Sequence, residues 1–278
     1  MSRRQKTVPR VALRAPDLGL IGGLAGMVIL WALAIKLSHS QILPGPWDVA
    51  LGIVELARKG LLVKYVVASL CRVTWGYLAA LVAIPFGLSL GWSTRGRKAL
   101  APFLQILRPI SPLAWIPLAI LWFGVGDAPA VFIIFLASFF PLTFSTMNAV
   151  RKVHAVHIHA GRNFGLSTAM LIRRVLFPAV LPELIVGLRL TLGIAWLVVV
   201  AAEMIAVNSG LGFLIVDARN AGNRYDLVVA GMVLIGIIGF LLDMLLRRLE
   251  HLDVVRWSYP DVHRTRAAPA RPKALANP

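Results

Sequence analysis

The sequence predicts an all-α integral membrane protein with six transmembrane helices, and three observations carry that class. Of 278 residues, 58% are hydrophobic and 15% charged, with a mean hydropathy of +0.78, whereas soluble domains run at roughly 45–50% apolar and about 25% charged. Six runs are long and apolar enough to cross a bilayer. The positive residues fall overwhelmingly on one side of those runs.

Taken in order, residues 1–17 form a basic tail, and the first span covers 18–37. Ala32-Leu33-Ala34 has the small-residue pattern of a signal-peptidase site, but the run has the ~20 residues needed to cross a ~30 Å hydrocarbon core, which favours an anchor. The loop 38–64 contains LPGPWDVALGIVELARKG, a Pro-Gly-Pro turn followed by Val49, Ile53 and Leu56 at helical spacing. It reads as a helix lying at the membrane interface. A core of five further spans occupies 65–247: about 65–92, 99–122, 129–150, 179–205 and 226–246. Pro102, Pro109, Pro112 and Pro117 predict that the third span is bent or interrupted, since neighbouring helices can satisfy the carbonyls that prolines free. The spacings Gly22 to Gly26 and Gly87 to Gly91 allow close helix approach. Residues 248–278 form a tail whose Pro, Ala and Arg content after Trp257 reads as disordered. No internal repeat is visible.

A formal charge of +17 would suggest nucleic-acid binding in a soluble protein. With the amino terminus in the cytoplasm, twenty Lys and Arg lie in inner segments and five in outer loops: Arg58, Lys59, Lys64, Arg219 and Arg224. That asymmetry makes the charge an orientation signal, puts both termini in the cytoplasm and removes the case for nucleic acid. Cys71 is the single cysteine, so the chain has no intramolecular disulfide and no cysteine-based metal site. His154, His157 and His159 invite a metal reading, but on a helix the third points away from the first two, and no carboxylate or cysteine completes a tetrahedral set.

The longest inner loop, Arg151 to Pro178, contains HAGRNFGLSTAMLIRRVLFP. Ala155, Ile158, Phe164, Leu166, Met170 and Leu171 offer apolar contacts, Gly161 and Gly165 close backbone approach, and Arg162, Arg173 and Arg174 ion-pair donors. A short helix and turn of this composition either docks a partner or rests on the lipid surface. The chain carries no motor of its own. The nearest match to a phosphate-binding loop, Gly91 to Ala99, has Arg97 where Lys is required and Lys98 where Ser or Thr should hold magnesium.

The spacing His159-Ala160-Gly161, Gly165, Val175, Phe177-Pro178 resembles the loop signature of ABC importer permeases: Glu-Ala-Ala, three residues, Gly, nine residues, Ile, one residue, Leu-Pro. The departures are His for Glu, Gly for the second Ala, Val for Ile and Phe for Leu. ILPGPWDV, SPLAWIPLAILWFGVGD, LPELIVGLRLTLGIAWLVVVAAEMIAVNSGLGFLI and RRLEHLDVVRW extend the resemblance over residues 40 to 257. They are similar to the permease branch serving nitrate, aliphatic sulfonates, taurine and bicarbonate-type substrates. The resemblance implies a type I importer permease fold in the bacterial inner membrane, non-catalytic and usually homodimeric. It implies a cytoplasmic coupling helix, here His159, Ala160, Gly161, Gly165, Leu166, Val175 and Pro178, docked into separate ABC ATPase subunits. A periplasmic solute-binding protein delivers cargo to the periplasmic loop side. The chain itself then needs no cofactor; ATP and magnesium belong to the ATPase.

Ionisable groups within spans cost roughly 2.5–3.5 kcal/mol each on insertion scales unless paired or hydrated. Arg72 and Glu203 lie at similar depth near the outer ends of their spans, which suggests a pair. Either Arg72 lines the anion path, where a guanidinium suits nitrate or sulfonate oxygens, or the two form a neutralised structural pair. Arg189 and Asp243 read as a structural or gating pair, because Asp243 would repel an anion. Ser111, Trp115 and Trp196 join Arg72 and Glu203 as substrate-path candidates, alongside Ser138 and Asn148. RPISPLAW is the first stretch to probe, since a broken helix can hold an anion; inter-helix hydrogen bonding is the alternative for each residue. The rival function is an ion-coupled secondary transporter, whose titrating carboxylates would be Glu183, Glu203 and Asp243, all near span ends.

Overall fold

The computed structural model describes residues 18–38 and 43–250. The basic tail 1–17 and the tail from 251 onward lie outside the described residues. The regular elements of the described residues are all helical: α1 Leu18–Ser38, α2 Pro46–Arg58, α3 Leu61–Ala80, α4 Ala83–Trp92, α5 Thr94–Leu107, a 3-10 turn Pro112–Trp115, α6 Ile116–Phe123, α7 Asp127–Lys152, α8 Ala155–Asn163, α9 Thr168–Leu171, a π turn Ile172–Leu176, α10 Phe177–Ala206, α11 Leu211–Asn220 and α12 Tyr225–Glu250.

Local chemistry sets several of these boundaries. Pro46 opens α2 at a position where a missing N–H costs nothing. Asp48, three residues past Gly45, accepts the Gly45 N–H at 2.9 Å, closing half of a capping box. Val49, Gly52 and Leu56 form its buried face, the interfacial stripe expected from sequence. Between α3 and α4, Pro85 cannot donate to Leu81, and Ile84 N–H takes that carbonyl at 3.0 Å in a tighter turn. Ser93 caps α5 by accepting from Gly96 N–H at 3.1 Å.

Four stretches are long and apolar enough to cross a membrane: Leu61–Trp92, Asp127–Lys152, Thr168–Ala206 and Tyr225–Arg248. The pair Thr94–Leu107 and Pro112–Phe123 makes a fifth only if counted together, because its two halves bend by 84°. Within α1 the stretch Ala25–Leu37 is apolar but shorter than a span. The span expected over 99–122 is thus interrupted, as its prolines suggested, by an elbow, and a count of six is not established among the described residues. The last helix runs to Glu250, four residues past the 246 expected for its span.

The most buried of the four spans is α7, packed by α3, α4 and α10. Lipid tails are as apolar as leucine, so these contacts rest on close packing more than on exclusion of water. Gly87 and Gly91 show how: an added Cβ would meet the Thr143 carbonyl at 2.7 Å and Val150 Cβ at 2.6 Å. That small-residue spacing brings α4 against α7. The matching pair Gly22 and Gly26 faces no described atom within 4 Å. At one end of the bundle Leu56, Val73, Ile134, Trp196, Val199 and Leu211 share a core. At the other, which carries α8 and is called the basic end below, Val150, Leu176, Val180 and Leu184 do so.

Candidate functional site

The loop at the basic end is a built structure. His154 leads into α8, and three backbone bonds close its far end. Phe164 N–H reaches Ala160 O at 3.1 Å, Gly165 N–H reaches Arg162 O at 2.9 Å and Leu166 N–H reaches Gly161 O at 3.1 Å. The last two are the paired bonds of a Schellman ending, which needs a left-handed residue. Gly165 supplies it with φ +75°, at a conformation side chains resist. A Cβ on the buried Gly161 would touch Leu171, Leu166 and Val175 at 3.3–3.6 Å, so these residues form the inner side of the hairpin. Ser167 then caps α9 through Met170 N–H.

Between α9 and α10 the helix widens: Phe177 N–H bonds to Ile172 O, five residues back. Pro178 explains the widening, since it has no N–H for Arg174 O and its ring would crowd that carbonyl. The outer surface keeps Phe164 at 85% and Val156 at 73% exposure, with His159, Ala160 and Pro178 also exposed and Leu166 and Val175 half-buried. A groove of about 420 Å³ runs between His157, Ala160, Phe164, Arg174, Val175 and Pro178. All seven residues singled out in the sequence signature thus fall in or beside one hairpin.

At the opposite end the structure brings Arg72 and Glu203 together, with Arg72 Nη1 2.7 Å from Glu203 Oε1. Arg72 is 4% exposed and Glu203 fully buried. All three guanidinium nitrogens are engaged: Nε donates to Asp127 at 2.7 Å, Nη1 also to Ser209 O at 2.8 Å, and Nη2 to Ser209 Oγ, with Nη2 in ion-pair contact with Asp127 as well. Glu203 Oε2 accepts from Ser69 Oγ and from Gly212 N–H, both at 2.9 Å, and Ser69 Oγ accepts Leu211 N–H at 2.9 Å. The carboxylate therefore sits on the first turn of α11, where helix polarity favours it. The network ties α3, α7, α10 and α11 into one clamp. Asp127, Ser209 and Ser69 were not foreseen; Asp127 directly after FGVG was the available signal.

Arg189 and Asp243 also meet, bidentately, with Nε–Oδ1 at 2.6 Å and Nη2–Oδ2 at 3.1 Å. Arg247 approaches the same carboxylate at 3.3 Å. Glu183 is held by Lys152. Trp196 is 5% exposed, lies against Gly239 and donates its indole N–H to Ile235 O at 3.1 Å, bolting α10 to α12. Ser111 is exposed in the elbow, where its carbonyl accepts Ala114 N–H at 3.0 Å. Trp115 packs beside Ile116, Ile133 and Ala202. The five substrate-path candidates are thus not one cluster: Arg72 and Glu203 are together, Ser111 and Trp115 share the elbow, and Trp196 stands apart.

On the face bearing the clamp, Arg224 donates to Glu55 at 2.6 Å and to Asp226 at 2.8 Å, fastening α2 to α12. Arg224, followed by Lys59, pulls the Glu55 carboxyl down to about 2. The same bonds push the Arg224 guanidinium above its ordinary value. Among the described residues no group of three His, Cys, Asp or Glu side chains is placed to hold a metal.

A bundle with a helical hairpin at one end, a broken span and paired intramembrane charges defines a membrane transport subunit. Residues 83–252 match the family of binding-protein-dependent transport system inner membrane components, and the chain belongs to that family of multi-pass ABC importer permeases. It is 37% identical over 240 residues to the taurine transport system permease protein TauC of Escherichia coli (strain K12), covering 83% of this chain and 86% of that one. It is 37% identical over 197 residues to the nitrate import permease protein NrtB of Synechocystis sp., covering 70% and 71%. The fold is shared with the MetNI methionine ABC transporter in inward-facing conformations, at a TM-score of 0.61 and 20% identity over 68% of this chain and 94% of that one.

Proposed function

We propose that this permease is the membrane subunit of an ATP-driven importer of a small oxyanion, of the nitrate, taurine or aliphatic sulfonate class. It works as a homodimer with two ABC ATPase subunits, which bind ATP and magnesium, and a periplasmic solute-binding protein. Both termini and the loop 151–178 lie in the cytoplasm. The observation that carries the coupling role is the rigid hairpin that holds Phe164 at 85% exposure. An apolar side chain fixed outside the bundle by a glycine turn suits a cleft on a partner better than free solvent.

In this reading, closure of the ATPase subunits moves His159, Ala160, Gly161, Gly165, Leu166, Val175 and Pro178 as one piece. The π turn passes that motion to α10, which carries Arg189 and Glu203. Arg72 with Glu203 serves as a clamp at the periplasmic end, Arg189 with Asp243 as a brace at the cytoplasmic end, and Ser111 with Trp115 borders the passage. The ion-coupled alternative needs a free carboxylate within a span, whereas Glu203, Asp243 and Glu183 each have a cationic partner.

The test is reconstitution of the chain in liposomes with and without its ATPase and binding protein, following labelled nitrate and taurine. ATP-dependent uptake with the complete set is expected. Uptake by the chain alone, driven by an ion gradient, would overturn the proposal.

A further inference from the structure

We infer that Arg108, with Ser111 and Asn148, forms an oxyanion-binding step inside the translocation passage; this rests on the importer reading above. Among the described residues, three arginines stand at membrane depth. Arg72 has all three guanidinium nitrogens hydrogen-bonded, and Arg189 is paired with Asp243. Arg108 has no carboxylate. Its guanidinium carbon lies 5.3 Å from the centre of the Phe144 ring, a cation–π contact that leaves the edge donors free.

Phe144 fixes the depth. It is eight residues from the end of α7 at Lys152, or about 12 Å at the helical rise. Arg108 is exposed there, so its head group faces either hydrocarbon or water. An unpaired guanidinium is expensive in hydrocarbon, and irregular backbone at membrane depth is tolerated only inside protein or beside a water-filled cavity. Arg108 caps α5, with its N–H on Leu104 O at 3.0 Å, and opens the 84° elbow, whose residues 109–111 are not helical. The charge therefore calls for water, and the open backbone beside it suits the wall of an aqueous passage.

Two more side chains extend the step. Asn148 is one turn from Phe144 on the same face of α7, towards the basic end, and is exposed. Ser111, also exposed, follows Arg108 by three residues within the elbow. Neither side chain makes a hydrogen bond among the described residues. No acidic residue occurs in 94–123 or 128–152, so nothing on these segments competes for the guanidinium. A planar fork flanked by a carboxamide and a hydroxyl fits the oxygens of nitrate or of a sulfonate. A single positive charge also allows the anion to leave, as a passage requires.

The same chemistry would take a lipid phosphate, and the test separates the two. In the complete complex in liposomes, on a Cys71→Ser background, Arg108→Cys is treated with an anionic, membrane-impermeant methanethiosulfonate. The new thiol is expected to react, and nitrate or taurine to slow it. Arg108→Gln is expected to lower ATP-driven uptake about tenfold or more while the complex still assembles, and Arg108→Lys to recover part of that loss. Reaction only with lipid-soluble reagents, or unchanged uptake by Arg108→Gln, overturns the inference. So does a defect that vanishes when phosphatidylglycerol is replaced by phosphatidylcholine, which would make the bound anion a lipid. If the parent complex imports no anion, the importer reading falls, whereas failure confined to the Arg108 variants removes this step alone.

Discussion

Gly165→Ala isolates the turn on which the proposed coupling depends. Added bulk is not the obstacle, because a Cβ at this position meets nothing within 4 Å. The obstacle is φ +75°, which costs an L-residue about 1–2 kcal/mol. That penalty lowers the population of the closed hairpin by roughly 5- to 30-fold relative to its opened forms. Two readouts follow in the reconstituted complex. Amide exchange at Gly165 and Leu166, whose N–H groups close the turn, should accelerate by a comparable factor. ATP-driven uptake should fall while the variant still inserts in the membrane. Gly165→Asn is the control, since asparagine tolerates the left-handed region better than alanine, and it should lie between alanine and the parent. If alanine and asparagine both match the parent in exchange and in uptake, a rigid hairpin is not what transmits the stroke.

Three further outcomes are expected. Glu203→Ala leaves Arg72 buried beside Asp127 without its inner partner and should cost about 3–5 kcal/mol in detergent unfolding; the double replacement Arg72→Leu with Glu203→Leu should cost less than the two single changes summed, and strict additivity would refute coupling. Trp196→Phe removes the hydrogen bond to Ile235 O together with the pyrrole atoms that lie against Gly239 and should cost about 1–3 kcal/mol, against about 3–5 kcal/mol for Trp196→Ala, which empties more of the site. Because Glu55 is held at about 2, below its ordinary 4.5, its contribution is present above pH 4.5 and is lost as pH falls towards 2. The stability gap between parent and Glu55→Gln should therefore be flat from pH 7 to 5 and close in acid, and a gap that widened in acid would contradict the assignment.

The spans were legible because a bilayer core forces the backbone to bond within each segment, leaving hydropathy as a direct record of position. The hairpin was legible for a similar reason: one glycine and one proline at fixed spacing mark a left-handed turn and a widened helix. Matched depth was enough to pair Arg72 with Glu203 and Arg189 with Asp243. Depth says nothing of direction around a helix axis, so Trp196 could not be told apart from a passage residue, although it packs on Gly239. Asp127, at the start of α7, and Ser209, in the turn before α11, reach Arg72 along courses that depend on Gly124, Gly126 and Gly210, all at positive φ. No hydrophobic period records such turns. Prolines likewise marked where the third span breaks but not that it turns by 84°.

The π turn before Pro178 carries one residue more than an α-helical path would use. Each residue advances a helix by about 100°, so the surplus sets the rotational phase of everything upstream of Ile172 relative to α10. Deleting any one residue between Ile172 and Leu176 leaves Pro178 still without an N–H for the carbonyl four residues back, so the widening re-forms one residue further upstream and swings Phe164 and His159 by about 100° around the axis. A chain shortened by a single residue would still insert and pack, yet it would present its partner with the wrong side of the knob.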